Sequence, residues 1–174
     1  GTKSYKPGTI LDSYLGKTVE IGNTDAEGRL ALADAMAYVV KNYKPSRIVD
    51  FATLTGSIVA ALGEDYAGLF STDKVADKIL EAGDYVGEKV WRMPLPDDYN
   101  ELLKSKIADL NNISSSNYGG AITAALFLKN FVGETPWTHI DIAGTARGSK
   151  RKHYWPVYGT GFGVRLMLEW LRKN

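Results

Sequence analysis

The chain has 174 residues, 44% hydrophobic and 24% charged, which is enough apolar side chain to bury a core and too much to remain disordered. Its 21 basic and 20 acidic residues leave a formal charge of +1, so no overall field draws it to nucleic acid or to an anionic membrane. The absence of cysteine excludes a disulfide framework and thiolate metal sites, and fits a reducing, cytoplasmic setting.

The opening residues GTKSYKPG carry neither an initiator methionine nor an apolar signal core and read as a cut end. Alternation and β-branching in Lys17–Ile21 (KTVEI) predict a strand. Arg29–Lys41, dense in Ala and Leu, predicts a mostly buried helix closed by Pro45. Arg47–Thr53 reads as a buried strand, Gly56–Leu62 as a short helix and Tyr66–Ser71 as a further strand. Lys74–Gly83 has the spacing of an amphipathic surface helix, Val90–Pro94 is extended, and Asp98–Ser105 is a polar helix. Asn111–Gly120 (NNISSSNYGG) is a loop by composition. A helix over Ala121–Phe131, a strand over Trp137–Ala143, a polar loop over Arg147–Tyr158 and a closing helix over Gly163–Arg172 complete the chain. The most apolar run, Ile48–Leu62, is interrupted by Asp50, hydroxyl residues and Gly56, so it is no uninterrupted membrane span. Strands and helices alternate, which predicts an α/β layered domain with a largely parallel, mixed sheet flanked by helices.

The segment Gly22–Leu30 (GNTDAEGRL) sets two acids and an arginine at every second position between small residues. If extended, it points Asp25, Glu27 and Arg29 to one side with Cβ atoms about 7 Å apart. Such carboxylates are hard donors for one or two divalent cations, and the guanidinium can clamp an anion. Thr24-x-x-Glu27 is equally a capping box for the following helix. In a helix, positions 25 and 27 diverge by about 200° and share no metal.

NTDAEGRL resembles the signature of the cytosolic leucyl aminopeptidase family, two-metal exopeptidases. YKPGTIL, VDFATLTG, GGAITAALFL and WTHIDIAGTA resemble the same family's catalytic region in the same order, so the resemblance covers essentially the whole chain. It implies that Asp25 is a metal ligand, that Glu27 bridges both metals, and that Arg29 holds a small anion such as bicarbonate that helps to activate water. The implied cations are zinc or manganese, two per complete site. In Thr53-Leu54-Thr55-Gly56 it implies main-chain groups along a bound peptide, contributed by Thr53, Leu54 and Gly56, with Thr53 and Gly56 also lining the pocket for the first side chain. Ala143 and Ala146 are implied to line the same pocket. On pattern alone TLTG is a strand ending in a helix cap, and the two alanines are core packing. The resemblance further implies release of N-terminal residues such as leucine from peptides, and a homohexamer of two trimers.

The family's upstream stretch, of the form G-K-G-x-x-F-D-x-G-G, supplies further metal ligands and a catalytic lysine, and no segment of this sequence matches it. Residues 1–174 are therefore expected to form the C-terminal part of an incomplete catalytic domain, inactive by itself, with activity belonging to a longer parent.

Other signals read as structural. Gly159–Gly163 (GTGFG) is a turn into the last helix rather than a dinucleotide loop, and neither His139 nor His153 has an i+4 partner for a zinc site. Asp50 and Asp141 sit in apolar strands and must be paired or hydrogen-bonded. Trp91, Trp137, Trp155 and Trp170 follow no stacking period. The basic run Arg147–His153 reads as a solvated loop; a DNA-binding role, the rival reading, would rest on Lys150, Arg151 and Lys152.

Overall fold

A computed structural model describes residues 4–148 and 157–173. Its elements in chain order are β1 (Ile10–Asp12), β2 (Thr18–Glu20), α1 (Gly28–Tyr43), β3 (Ile48–Ala52), α2 (Gly56–Leu62), β4 (Ala67–Ser71), α3 (Ala76–Val86) and β5 (Val90–Arg92). A 3-10 helix (Asp97–Leu103), β6 (Leu110–Asn111), α4 (Gly120–Lys129), β7 (Trp137–Asp141), β8 (Arg147–Gly148), β9 (Tyr158–Gly159) and α5 (Val164–Lys173) follow. This is the expected α/β class, with mixed sheets and flanking helices. The chain divides into two units, Gly1–Ile48 with Leu95–Pro136 and Val49–Pro94 with Trp137–Asn174. Among the described residues no helix is long and apolar enough to cross a membrane.

The first unit is built on a sheet of order β1-β2-β6, with β1 antiparallel and β6 parallel to β2. Its centre is α4, where Ala121 and every residue from Thr123 to Leu128 are buried, as a helix apolar on all sides requires. The expectation that α1 is mostly buried is corrected: only Ala33, Met36 and Ala37 are. Ala31 and Ala35 are exposed, because alanine favours helix through its low entropy cost whether or not it faces a core. The helix ends at Lys44, which takes a left-handed conformation with φ 46° just before Pro45. The predicted polar helix is a 3-10 segment instead, closed by bonds such as Lys104 N to Glu101 O at 3.4 Å.

β6 enters the segment read as pure loop, and Asp109 anchors it. Its carboxylate accepts from Thr18 N at 2.8 Å and from Thr18 Oγ1 at 2.7 Å. Those two bonds, the backbone one first, and nearby Lys17 hold the Asp109 carboxyl below the usual aspartate range, with slight burial working the other way. The stabilisation is therefore fully present above the unfolded-state pKa and lost as pH falls through the lower folded value. Asp109→Asn is expected to flatten the acid limb of a stability–pH profile, in the range at and below ordinary aspartate titration.

The second unit carries a sheet of order β3-β7-β4-β5, β4 being parallel to β5 and antiparallel to β7. Every residue of β7 is buried. Leu69, Ile79, Ile140, Phe162, Leu166 and Trp170 form the core between this sheet and the pair α3 and α5. The GTGFG stretch is the turn into α5, as expected, and its end is held by a buried carboxylate. Glu88 Oε2 accepts from Gly163 N and Leu166 N at 3.0 Å each, while Oε1 accepts from Arg165 Nη2 at 3.1 Å. The loop predicted over 147–158 holds the short antiparallel pair β8 and β9. Lys150, Arg151, Lys152, His153 and Trp155 lie outside the described residues. Glu88→Ala strips two helix-start amides of their acceptor and should lower unfolding free energy by about 2–3 kcal/mol. Glu88→Gln, which keeps one acceptor oxygen, should lose less, both variants being compared with the unsubstituted protein by urea titration.

Candidate functional site

The loop before α1 adopts neither geometry anticipated for it. Thr24 and Asp25 form a turn, and Glu27 already has helical angles, φ −76° and ψ −34°. Glu27, not Thr24, is the residue at the helix cap, and no side chain bonds to the cap. The segment is thus neither an extended row over residues 25–29 nor a capping box opened by Thr24. Asp25 N donates to Asn23 Oδ1 at 2.9 Å, which closes the turn locally. Asp25 and Glu27 are exposed, and Arg29 stands half-buried in the first turn of α1.

What fixes this loop is a residue in the segment that composition reads as loop, Asn111–Gly120. Asn112 is fully buried. Its Oδ1 accepts from Gly22 N at 2.8 Å and Asn23 N at 3.2 Å, while its Nδ2 donates to Asn23 O at 2.7 Å and Ala26 O at 3.4 Å. Its own N–H donates to Glu20 O at 2.9 Å, and its carbonyl accepts from Arg29 Nη1 at 2.7 Å. A loop backbone with no strand beside it must satisfy its polar groups some other way, and one amide side chain does so here. Arg29 is tied to the same residue, so loop and guanidinium share one anchor.

The donor chemistry of Asp25 and Glu27 suits hard divalent cations, since both are carboxylates open to solvent. The number of donors does not complete a centre. Among the described residues no group of three or more His, Cys, Asp or Glu side chains comes together to hold a metal.

In the second unit, Thr53–Gly56 joins β3 to α2, and Ala143 and Ala146 lie in the turn after β7. Thr53 and Gly56 are exposed, while Leu54, Ala143 and Ala146 are half-buried. The two segments meet at Asp141, the last residue of β7. Its Oδ1 accepts from Leu54 N at 3.0 Å and Ala143 N at 3.1 Å, and its Oδ2 accepts from Thr55 Oγ1 at 2.7 Å. Thr55 Oγ1 in turn accepts from Ile58 N at 3.1 Å, so the predicted helix cap on α2 is present. Ala146 N donates to Ile142 O at 2.8 Å, closing the turn. Gly144 approaches the carbonyl of Gly63 so closely that a Cβ there would collide with it.

Asp50 and His139 are paired, as acids and histidines in apolar strands must be. Asp50 Oδ2 accepts from Trp137 Nε1 at 2.7 Å, and its Oδ1 lies 2.6 Å from His139 Nδ1. The imidazole is stacked against the rings of Phe70 and Trp137. The structure therefore gathers Thr53, Leu54, Gly56, Ala143 and Ala146 around Asp141 in the second unit, and Asp25, Glu27 and Arg29 beside Asn112 in the first. Asn112 and Asp141 are the positioning residues that spacing alone does not announce; an acid inside an apolar strand was the one available signal for the latter. Asn112→Ala is expected to speed hydrogen exchange at the amides of Gly22 and Asn23 and to cost about 2–4 kcal/mol, from the several backbone groups left unsatisfied.

Comparison with known proteins places this sequence among relatives. A model of the cytosol aminopeptidase family, catalytic domain, matches residues 1–168. A probable cytosol aminopeptidase of Cenarchaeum symbiosum is 52% identical over 99% of the chain and 36% of its own length. One from Protochlamydia amoebophila is 54% identical over 98% of the chain and 34% of its length. Another, from Brucella melitensis, is 53% identical over 94% of the chain and 34% of its length. The chain thus spans about a third of the length of the curated relatives it matches.

Proposed function

The chain belongs to the cytosol aminopeptidase family, and from that premise we propose that the whole protein is a metal-dependent aminopeptidase releasing N-terminal residues such as leucine from peptides. The observation that carries this reading is the family match, continuous over residues 1–168. Residues 1–174 are the C-terminal part of its catalytic domain, and the protein works in the cytoplasm as a homohexamer. The relatives' printed names support the location and the reaction class.

Asp25 and Glu27 would hold a pair of zinc or manganese ions, Glu27 as a ligand to both, and Arg29 would hold a small anion such as bicarbonate. A cation pair supplies Lewis acidity to a peptide carbonyl and lowers the pKa of water. What this chain contributes is orientation: Asn112 holds both the carboxylate-bearing loop and the Arg29 guanidinium, so neither has to be ordered when substrate binds. Leu54 and its neighbours present main-chain groups to the peptide, and Thr53, Gly56, Ala143 and Ala146 line the pocket for its first side chain. The remaining ligands would come from the upstream stretch that the family carries. The basic residues Lys150, Arg151 and Lys152, on which a nucleic-acid role would rest, are outside the described residues, and no other observation favours that role.

The test is hydrolysis of leucyl-anilide with added Zn²⁺ or Mn²⁺, by this chain and by the whole protein. The whole protein should be active, Glu27→Ala should reduce its kcat/KM by more than about 100-fold, and this chain alone should show no turnover. An inactive whole protein would sink the aminopeptidase reading. Turnover by this chain alone would instead remove the claim that further ligands are needed.

A further inference from the structure

We propose that Asp141 is a positioning residue for substrate selection, holding the two walls of the pocket for the first side chain at a fixed spacing. This rests on the reading that Thr53 and Gly56 form one wall and Ala143 and Ala146 the other. Leu54 N and Ala143 N donate to one and the same oxygen, Asp141 Oδ1, at 3.0 and 3.1 Å. The two backbones therefore stand no farther apart than two hydrogen bonds laid end to end. The second oxygen takes the hydroxyl of Thr55 at 2.7 Å, and that hydroxyl receives Ile58 N. One carboxylate thereby sets the exit of β3, the start of α2 and the turn after β7.

Capping α2 does not explain the carboxylate. Thr55 supplies that cap by itself, and a carboxyl group with 1% exposure is costlier to bury than the hydroxyl that already makes the cap. The bonds to Leu54 and Ala143 are the part a cap leaves over, and they link the two segments the pocket is made of. Asp141 is also rigidly seated: it pairs with Gly68 of β4 in a strand buried along its whole length. A pocket referred to a sheet interior keeps its width better than one built on loops alone. Pocket width is what distinguishes leucine from a smaller residue, because each methylene that fills or leaves a hole changes transition-state binding by a factor of about 10 or more.

Two measurements test this. In this chain, Asp141→Asn, an isostere that retains one acceptor oxygen, and Asp141→Ala should speed amide exchange at Leu54 and Ala143 by at least about tenfold relative to amides of α3. Exchange at those two amides that stays in step with α3 would overturn the clamp. In the whole protein, Asp141→Ala should raise KM for leucyl-anilide about tenfold, change kcat by less than about threefold, and collapse the preference for leucyl- over alanyl-anilide. Should Asp141→Ala not fold, Asp141→Asn carries the same comparison with a smaller shift of the same sign. A leucyl-to-alanyl ratio unchanged in a folded, active variant would overturn the proposal, since a merely structural loss scales both substrates alike. An unsubstituted whole protein without leucyl-anilide activity would overturn the aminopeptidase reading beneath it; an active one with an unchanged ratio would overturn only the role of Asp141.

Discussion

Burying β7 whole sets the terms for the second unit. The strand carries three polar side chains, Thr138, His139 and Asp141, into an interior shut off from bulk solvent, where each makes a hydrogen bond within reach. Thr138 meets Ser71 on β4 at 2.7 Å, His139 meets Asp50 on β3, and Asp141 meets the backbone beyond β3 and the backbone after itself. These bonds run sideways to both neighbouring strands, so they fix register as well as satisfying polarity. A one-residue slip would turn Asp50 and Asp141 away from their donors and leave polar side chains buried without partners, a larger penalty than the loss of a few apolar contacts.

The first unit solves the opposite problem. Its short strands leave the loop before α1 with backbone groups that no sheet can pair, and Asn112 supplies from one side chain what a neighbouring strand would have supplied. An amide suits this because it donates and accepts at once, whereas a carboxylate in its place would offer no donor to Asn23 O or Ala26 O. The acids of the loop, Asp25 and Glu27, take no part in this bonding and are exposed.

Much of this was legible in the sequence, and what was not has physical causes. Strands such as Arg47–Thr53 and Trp137–Ala143 announce themselves through β-branched and aromatic runs, and α2 through a threonine followed by small apolar residues. β1 and β6, three and two residues long, are too short to show a period of two. α1 has a composition that favours helix, but composition says little about which helix lies inside. The 24–29 segment defeated both geometric templates because its shape is imposed from residue 112, some 90 positions away. Periodicity reports local preference, and a clamp of that sequence separation leaves no local trace. Asp50 and Asp141 were legible as acids needing partners, although their partners were not.

The division of the chain into two interleaved pieces bears on how it is made. Each unit is assembled from two separated segments, and the boundaries fall at 48/49, 94/95 and 136/137. A chain emerging from the ribosome therefore presents β2 without β6 and α1 without α4 until the segment through Pro136 has been synthesised. β3 waits similarly for β7. For most of that interval the apolar faces of both units are open at once, with strand edges unpaired, the circumstance in which nascent chains stick to one another. Slow elongation through residues 95–136 would lengthen that exposure.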